Sequence, residues 1–268
     1  MINRFNLKFN NRNIIKSIRN NQFLPLANHT VYNENGYIPA NRLTLKGTWD
    51  YSGTDNQEKY YEHLQTQPED WYYRHNKVKY TLNSEGYRTK EFDEVDWKNS
   101  IVMFGCSYVF GTGVDDKHTI PSFLEEITGI PVINMGVGGS SIQLALHNSM
   151  ILNDRYGPPA AVVYGWTSLM RYLVYHSLYF DNKIPTDSVK VKPAEHLVPF
   201  NMMNVKIVRN LWKDKCKYYE FSLFDTTAKI LNCDFYQPKD DYARDLRHCG
   251  IESNKEFAEL INVNLALL

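Results

Sequence analysis

The chain is poor in cysteine, carries no net charge and has no long apolar run. Its four cysteines, at positions 106, 216, 233 and 249, show neither C-x-x-C spacing nor the density of a disulfide scaffold, so a reducing compartment is the default expectation. Thirty basic residues balance thirty acidic ones, which leaves no global field to attract nucleic acid or an anionic surface, and no nucleic-acid partner is expected. No apolar stretch reaches the length of a membrane span, and the polar start Met1-Ile2-Asn3-Arg4-Phe5-Asn6 has no signal-peptide core. No membrane span and a cytoplasmic location are therefore expected. Eight scattered histidines form no H-x-x-x-H or H-E-x-x-H pair, so neither a metal nor another cofactor is anticipated. No internal repeat is present.

What the chain does have is aromatic mass, at 14% with 19 tyrosines, and 43% apolar residues against 22% charged, a globular balance. At 268 residues it has room for one large domain, or one domain plus an extension. Residues 1–32 carry Arg4, Lys8, Arg12, Lys16 and Arg19 with no acid. Near-helical spacing would suit a basic amphipathic helix, but the asparagines around it are poor helix formers. A solvated arm, or a strap on its own domain or a neighbouring subunit, is the preferred expectation. Residues 33–75 are rich in turns and rings (Trp49, Tyr51, Tyr60, Tyr61, Trp71, Tyr72, Tyr73). Such rings either stack on sugars or pack the extension onto the main domain, and packing is the simpler reading. The expected division is thus an arm and extension over 1–75 and a main domain over 76–268.

From residue 77 the pattern is regular. Lys77–Thr81 alternates as a strand does, and Asn83-Ser84-Glu85-Gly86 makes a turn. Apolar runs at Ile101–Phe104, Pro131–Met135, Pro159–Gly165 and Lys217–Phe224 read as buried parallel strands. Helical spacing follows at Phe123, Leu124 and Ile127, at Leu144 to Leu152, at Val205 to Leu211, near Thr226 to Leu231, and from Glu252 to the end, with Phe257, Ala258, Leu260 and Ile261 facing inward. Strands alternating with helices predict an α/β fold with helices on both faces of a parallel sheet. Residues 181–200 read as a polar insertion that shapes a pocket or covers it.

Two short stretches carry chemistry. Ile101–Gly105 ends in a glycine turn, and Ser107 follows just past the strand's carboxyl end, where open α/β sheets keep their ligand sites. Taken alone, Ser107 is as well explained by a turn hydroxyl satisfying local backbone groups. Near the other end, Asp245 precedes His248 by three residues. That spacing lets the carboxylate accept from one ring N–H and leaves the other nitrogen for a serine proton. The order Ser, Asp, His is one of the known orders for this chemistry. The loop Gly136-Val137-Gly138-Gly139-Ser140-Ser141 lacks the Lys-Ser/Thr of a P-loop and suits an oxyanion better than a phosphate. The adjacent carboxylates Asp115-Asp116 and Asp240-Asp241 read as helix caps or solvated residues.

Gly105-Cys106-Ser107-x-x-x-Gly111, Asn134-x-Gly136-x-x-Gly139 and Asp245-x-x-His248 together resemble the first, second and last blocks of the SGNH (GDSL-type) hydrolases. The likeness spans residues 76–268, and this version of the motifs also resembles those in bacteriophage genomes. It implies a flavodoxin-like three-layer sandwich and a serine hydrolase for small acyl esters, such as O-acetyl groups on carbohydrate. In it, Ser107 is the nucleophile, His248 the base and Asp245 its orienting acid, and the Ser107 and Gly139 amides donate to the oxyanion. Two positions depart from the family pattern. Cys106 stands where the family has Asp, and the third block reads Gly165-Trp166-Thr167-Ser168, without its oxyanion asparagine. Thr167 either replaces that donor or caps a following helix. The competing expectation is a catalytically idle structural or carbohydrate-binding subunit, assembled as a homo-oligomer or in a virion through the basic arm.

Overall fold

The structure is a computed structural model. It describes residues 54–171 and 193–267, together with six short strands: β1 (Val31–Asn33), β2 (Gly36–Ile38), β3 (Gly47–Trp49), β4 (Tyr51–Ser52), β9 (Val174–Tyr175) and β10 (Phe180–Asp181). The basic arm before Val31, and residues 182–192 of the expected insertion, lie outside the described residues. Residues 193–200 are not part of a loop but open a long helix, α6 (Pro193–Trp212).

Five parallel strands form the central sheet: β6 (Ile101–Gly105), β7 (Val132–Gly136), β8 (Ala161–Trp166), β11 (Lys217–Ser222) and β12 (Asp234–Phe235). Their spatial order is β12-β11-β8-β6-β7, which is the flavodoxin-like order, with its topological switch between β6 and β8. The expected sandwich is the one observed. Alternation along the strands divides the core. Val102, Phe104, Ile133 and Tyr164 face α5 (Ile142–Tyr156) and α6. Ile101, Met103, Val163 and Phe221 face α4 (Ile120–Thr128) and α8 (Ile251–Leu267). Helix faces are narrower than the periodic pattern suggests: Leu260 is exposed and Leu265 takes the inward place, while Met150 and Ile207 also face outward.

The strands end in a row of glycines. Gly105 pairs in register with Gly136 on one side and Gly165 on the other. A Cβ at Gly136 would overlap the amide nitrogen of Phe110, one at Gly105 would overlap the Val109 side chain, and one at Gly165 would lie 2.9 Å from Val109 Cγ2. The row is therefore a floor on which the single-turn helix α3 (Ser107–Phe110) rests. Asn134 secures it from below, donating from Nδ2 to the Val109 carbonyl (3.1 Å) and accepting from the Gly136 amide (2.9 Å).

The extension is held on this framework. Strand β3 pairs antiparallel with β5 (Tyr80–Leu82), and the short helices α1 (Gln57–Thr66) and α2 (Tyr72–His75) precede β5. Tyr73, Val78, Tyr80 and Leu82 pack with Phe110, Val114 and Ala243 in a separate apolar cluster. Trp71 stacks on Tyr60 and meets Tyr73 edge-on, so these rings serve packing. α7 (Asp225–Leu231) is the remaining α-helix among the described residues.

Candidate active site

Ser107 opens α3 at the carboxyl end of β6, beside the switch point. His248 and Asp245 come from the tight loop before α8. That loop closes on itself through the Ala243 amide donating to the His248 carbonyl (2.9 Å) and the Gly250 amide donating to the Asp241 carbonyl (3.1 Å). Leu246 takes a left-handed φ of 52° within it, a conformation costly for a branched side chain and held by its surroundings. Asp241 caps α8, its Oδ2 accepting from the Glu252 amide at 2.8 Å, as expected of an adjacent-carboxylate pair.

The three residues meet across 141 positions of sequence. The Ser107 hydroxyl donates to His248 Nε2 at 2.7 Å, and His248 Nδ1–H donates to Asp245 Oδ2 at 2.6 Å. With Nδ1–H turned to the carboxylate, Nε2 is the ring nitrogen that accepts from the serine hydroxyl. Asp245 is fully buried and the imidazole is 13% exposed, so the carboxylate is shielded while the ring keeps some access to solvent. Burial by itself would raise the Asp245 pKa. Its hydrogen bond and proximity to His248, the Thr54 hydroxyl and the His248 amide outweigh burial and hold it at about 2. Tyr108 lies with its ring 5.0 Å from that of His248, and burial pushes its phenol up to about 12.

The two other expected donors lie in the segments that follow neighbouring strands of the sheet. Gly139 turns with φ 69° in the loop after β7, and Thr167 follows β8 directly. Among the described residues, Ser168–Arg171 form a turn and open no helix. The local turn is instead capped by Ser168, whose hydroxyl oxygen accepts from the Met170 amide at 3.2 Å, so the capping role falls to a different residue. The Thr167 hydroxyl is buried and has no hydrogen-bond partner. Cys106 and Cys249 are buried free thiols, and burial raises the Cys249 pKa, which leaves it a poor nucleophile. Arg88 is buried, donates to the carbonyls of Lys79, Gly111 and Val114, pairs with Asp116 (2.5 Å), and so grips the loop after α3.

Sequence reasoning missed the residues behind the acid loop. Thr54 donates to Asp245 Oδ2 at 2.7 Å. Asp55 pairs with Arg244 (2.6 Å) and accepts from the Tyr80 hydroxyl (2.6 Å), which in turn accepts from the Gly113 amide (2.8 Å). His63 Nδ1–H donates to the Arg244 carbonyl at 2.9 Å. Among the described residues no group of three or more potential metal ligands gathers, and no helix is long and apolar enough to cross a membrane.

No family model and no curated protein matches the chain. Solved structures do. The chain is similar to a carbohydrate esterase family 2 enzyme with a carbohydrate-binding domain from Corynascus thermopiles (Myceliophthora fergusii): 15% identity, TM-score 0.44, 63% of this chain and 66% of that one, just under two thirds of its length. It is also similar to a putative lipolytic protein of the G-D-S-L family from Desulfitobacterium hafniense, with 14% identity, TM-score 0.41, and coverage of 62% and 99%. A third is an acetyl xylan esterase from Butyrivibrio proteoclasticus, with 11% identity, TM-score 0.41, and coverage of 65% and 66%.

Proposed function

We propose that the protein is a serine esterase acting on small acyl esters. The supporting observation is the continuous relay from Ser107 Oγ through His248 to Asp245, with links of 2.7 and 2.6 Å. Ser107 Oγ attacks the ester carbonyl as its proton passes to His248 Nε2. His248 then returns that proton to the leaving alcohol, and the acyl group stays on Ser107. A water, deprotonated by the same imidazole, attacks the acyl-enzyme, and the carboxylic acid departs as the serine is restored. Asp245 stays ionised throughout and stabilises the imidazolium. The amides of Ser107 and Gly139 and the hydroxyl of Thr167 donate to the developing oxyanion.

An acetyl ester on carbohydrate is our choice of natural substrate, and it rests on the family resemblance. The first test is hydrolysis of p-nitrophenyl acetate by wild type and Ser107→Ala. We expect wild-type turnover well above background and loss of at least a thousandfold in the variant. Equal rates would remove the catalytic reading and leave a non-catalytic subunit, which the missing third-block asparagine favours.

A further inference from the structure

We infer that Thr54, from the N-terminal extension, is a positioning residue for the relay: its hydroxyl fixes the Asp245 carboxylate that orients His248. This rests on the relay proposed above and adds a fourth member to it. Asp245 Oδ2 is the oxygen that accepts from His248 Nδ1–H, and the Thr54 hydroxyl donates to that same oxygen at 2.7 Å. Oδ1 is occupied separately by the amides of Arg247 (3.1 Å) and His248 (3.0 Å). The carboxylate therefore has a fixed rotation, and each oxygen has assigned donors. Without Thr54, the oxygen facing the imidazole would keep one side-chain donor and a stronger negative field directed at it.

The position of Thr54 is itself built. The next residue, Asp55, is 1% exposed and bound to Arg244, the residue immediately before Asp245. Helix α1 adds His63 on the Arg244 carbonyl and the Tyr60 ring 5.0 Å from the Arg244 guanidinium. Two consecutive residues of the extension thus contact two consecutive residues of the acid loop. A purely structural strap needs the Asp55–Arg244 pair but has no need of a hydroxyl on the relay oxygen.

The test is the titration of His248 followed by NMR on histidine-labelled full-length protein, with the signal assigned from His248→Asn. The groups facing the ring are Asp245 from its own loop and Ser107 and Tyr108 from α3, and none of these is altered. Thr54→Val, which keeps the shape and removes the donor, is expected to raise the His248 midpoint by about one pH unit, since a less satisfied carboxylate favours the imidazolium. Thr54→Ser is expected to keep the wild-type midpoint. In ester hydrolysis, Thr54→Val then lowers kcat with KM unchanged and moves the acid limb of the profile upward. An unchanged midpoint in folded Thr54→Val overturns the proposal. If the valine variant does not fold, a shifted midpoint in Thr54→Ser does so instead. The NMR readout needs no turnover, so failure of the esterase reading in the Ser107→Ala assay is a separate result.

Discussion

At the scale of single residues, the site is distinguished by which polar groups are satisfied. The Ser107, His248 and Asp245 side chains are hydrogen-bonded in series, and Asp245 accepts further donors, whereas the buried Thr167 hydroxyl has no partner. A buried donor left unpaired costs about 1–3 kcal/mol, a cost that a function in the oxyanion hole would offset. On this argument, Thr167→Val should lower turnover of p-nitrophenyl acetate by about a hundred- to a thousandfold and leave the melting temperature unchanged or slightly raised. Unchanged turnover would show that the two backbone amides act alone.

At the scale of elements, Ser107 depends on a four-residue helix too short to hold itself. α3 is placed by the glycine row beneath it, by Asn134 on the Val109 carbonyl, and by Arg88 on the loop that follows. Gly136 is the critical member, because the atom its Cβ would meet belongs to the backbone of α3 and not to a movable side chain. Gly136→Ala is therefore expected to destabilise the fold by about 1–3 kcal/mol, as overpacking does, and to reduce turnover by displacing Ser107. Urea denaturation and the ester assay measure the two effects. A variant with normal stability and normal turnover would show that α3 can rise without consequence.

At the scale of the molecule, the extension and the sheet framework are joined through charge buried between them. Asp55 and Arg244 are 189 residues apart, with side chains 1% and 6% exposed. Removing one member of a buried pair leaves the other charge in a poor environment, at about 3–5 kcal/mol. Asp55→Asn should accordingly lower the urea midpoint strongly. It should also loosen the acid loop, because Tyr80 links the same carboxylate to Gly113 beside Ser107's helix. A shift below about 1 kcal/mol would mean that the extension is only loosely coupled to the core.

The sequence by itself determined the layers and the two ends of the relay. Period-two alternation and apolar runs are local properties, so β6, β7, β8 and β11 were legible from their own residues, and Ser107, Asp245 and His248 sit in short motifs whose spacing is read along the chain. Helix faces were legible only in part: periodicity marks Leu260 and Ile207 as apolar, but only packing decides that both remain exposed. The role of Thr167 as a cap failed for a similar reason, since capping requires a helix that Ser168 and its neighbours do not form. Thr54 and Asp55 carry no motif. Their partners lie up to 191 residues away, and a hydroxyl or carboxylate acquires its function there only when the chain folds it against a buried oxygen or guanidinium. Contacts of that kind are set by tertiary geometry, because nothing in the residues flanking Thr54 encodes which distant loop they will meet.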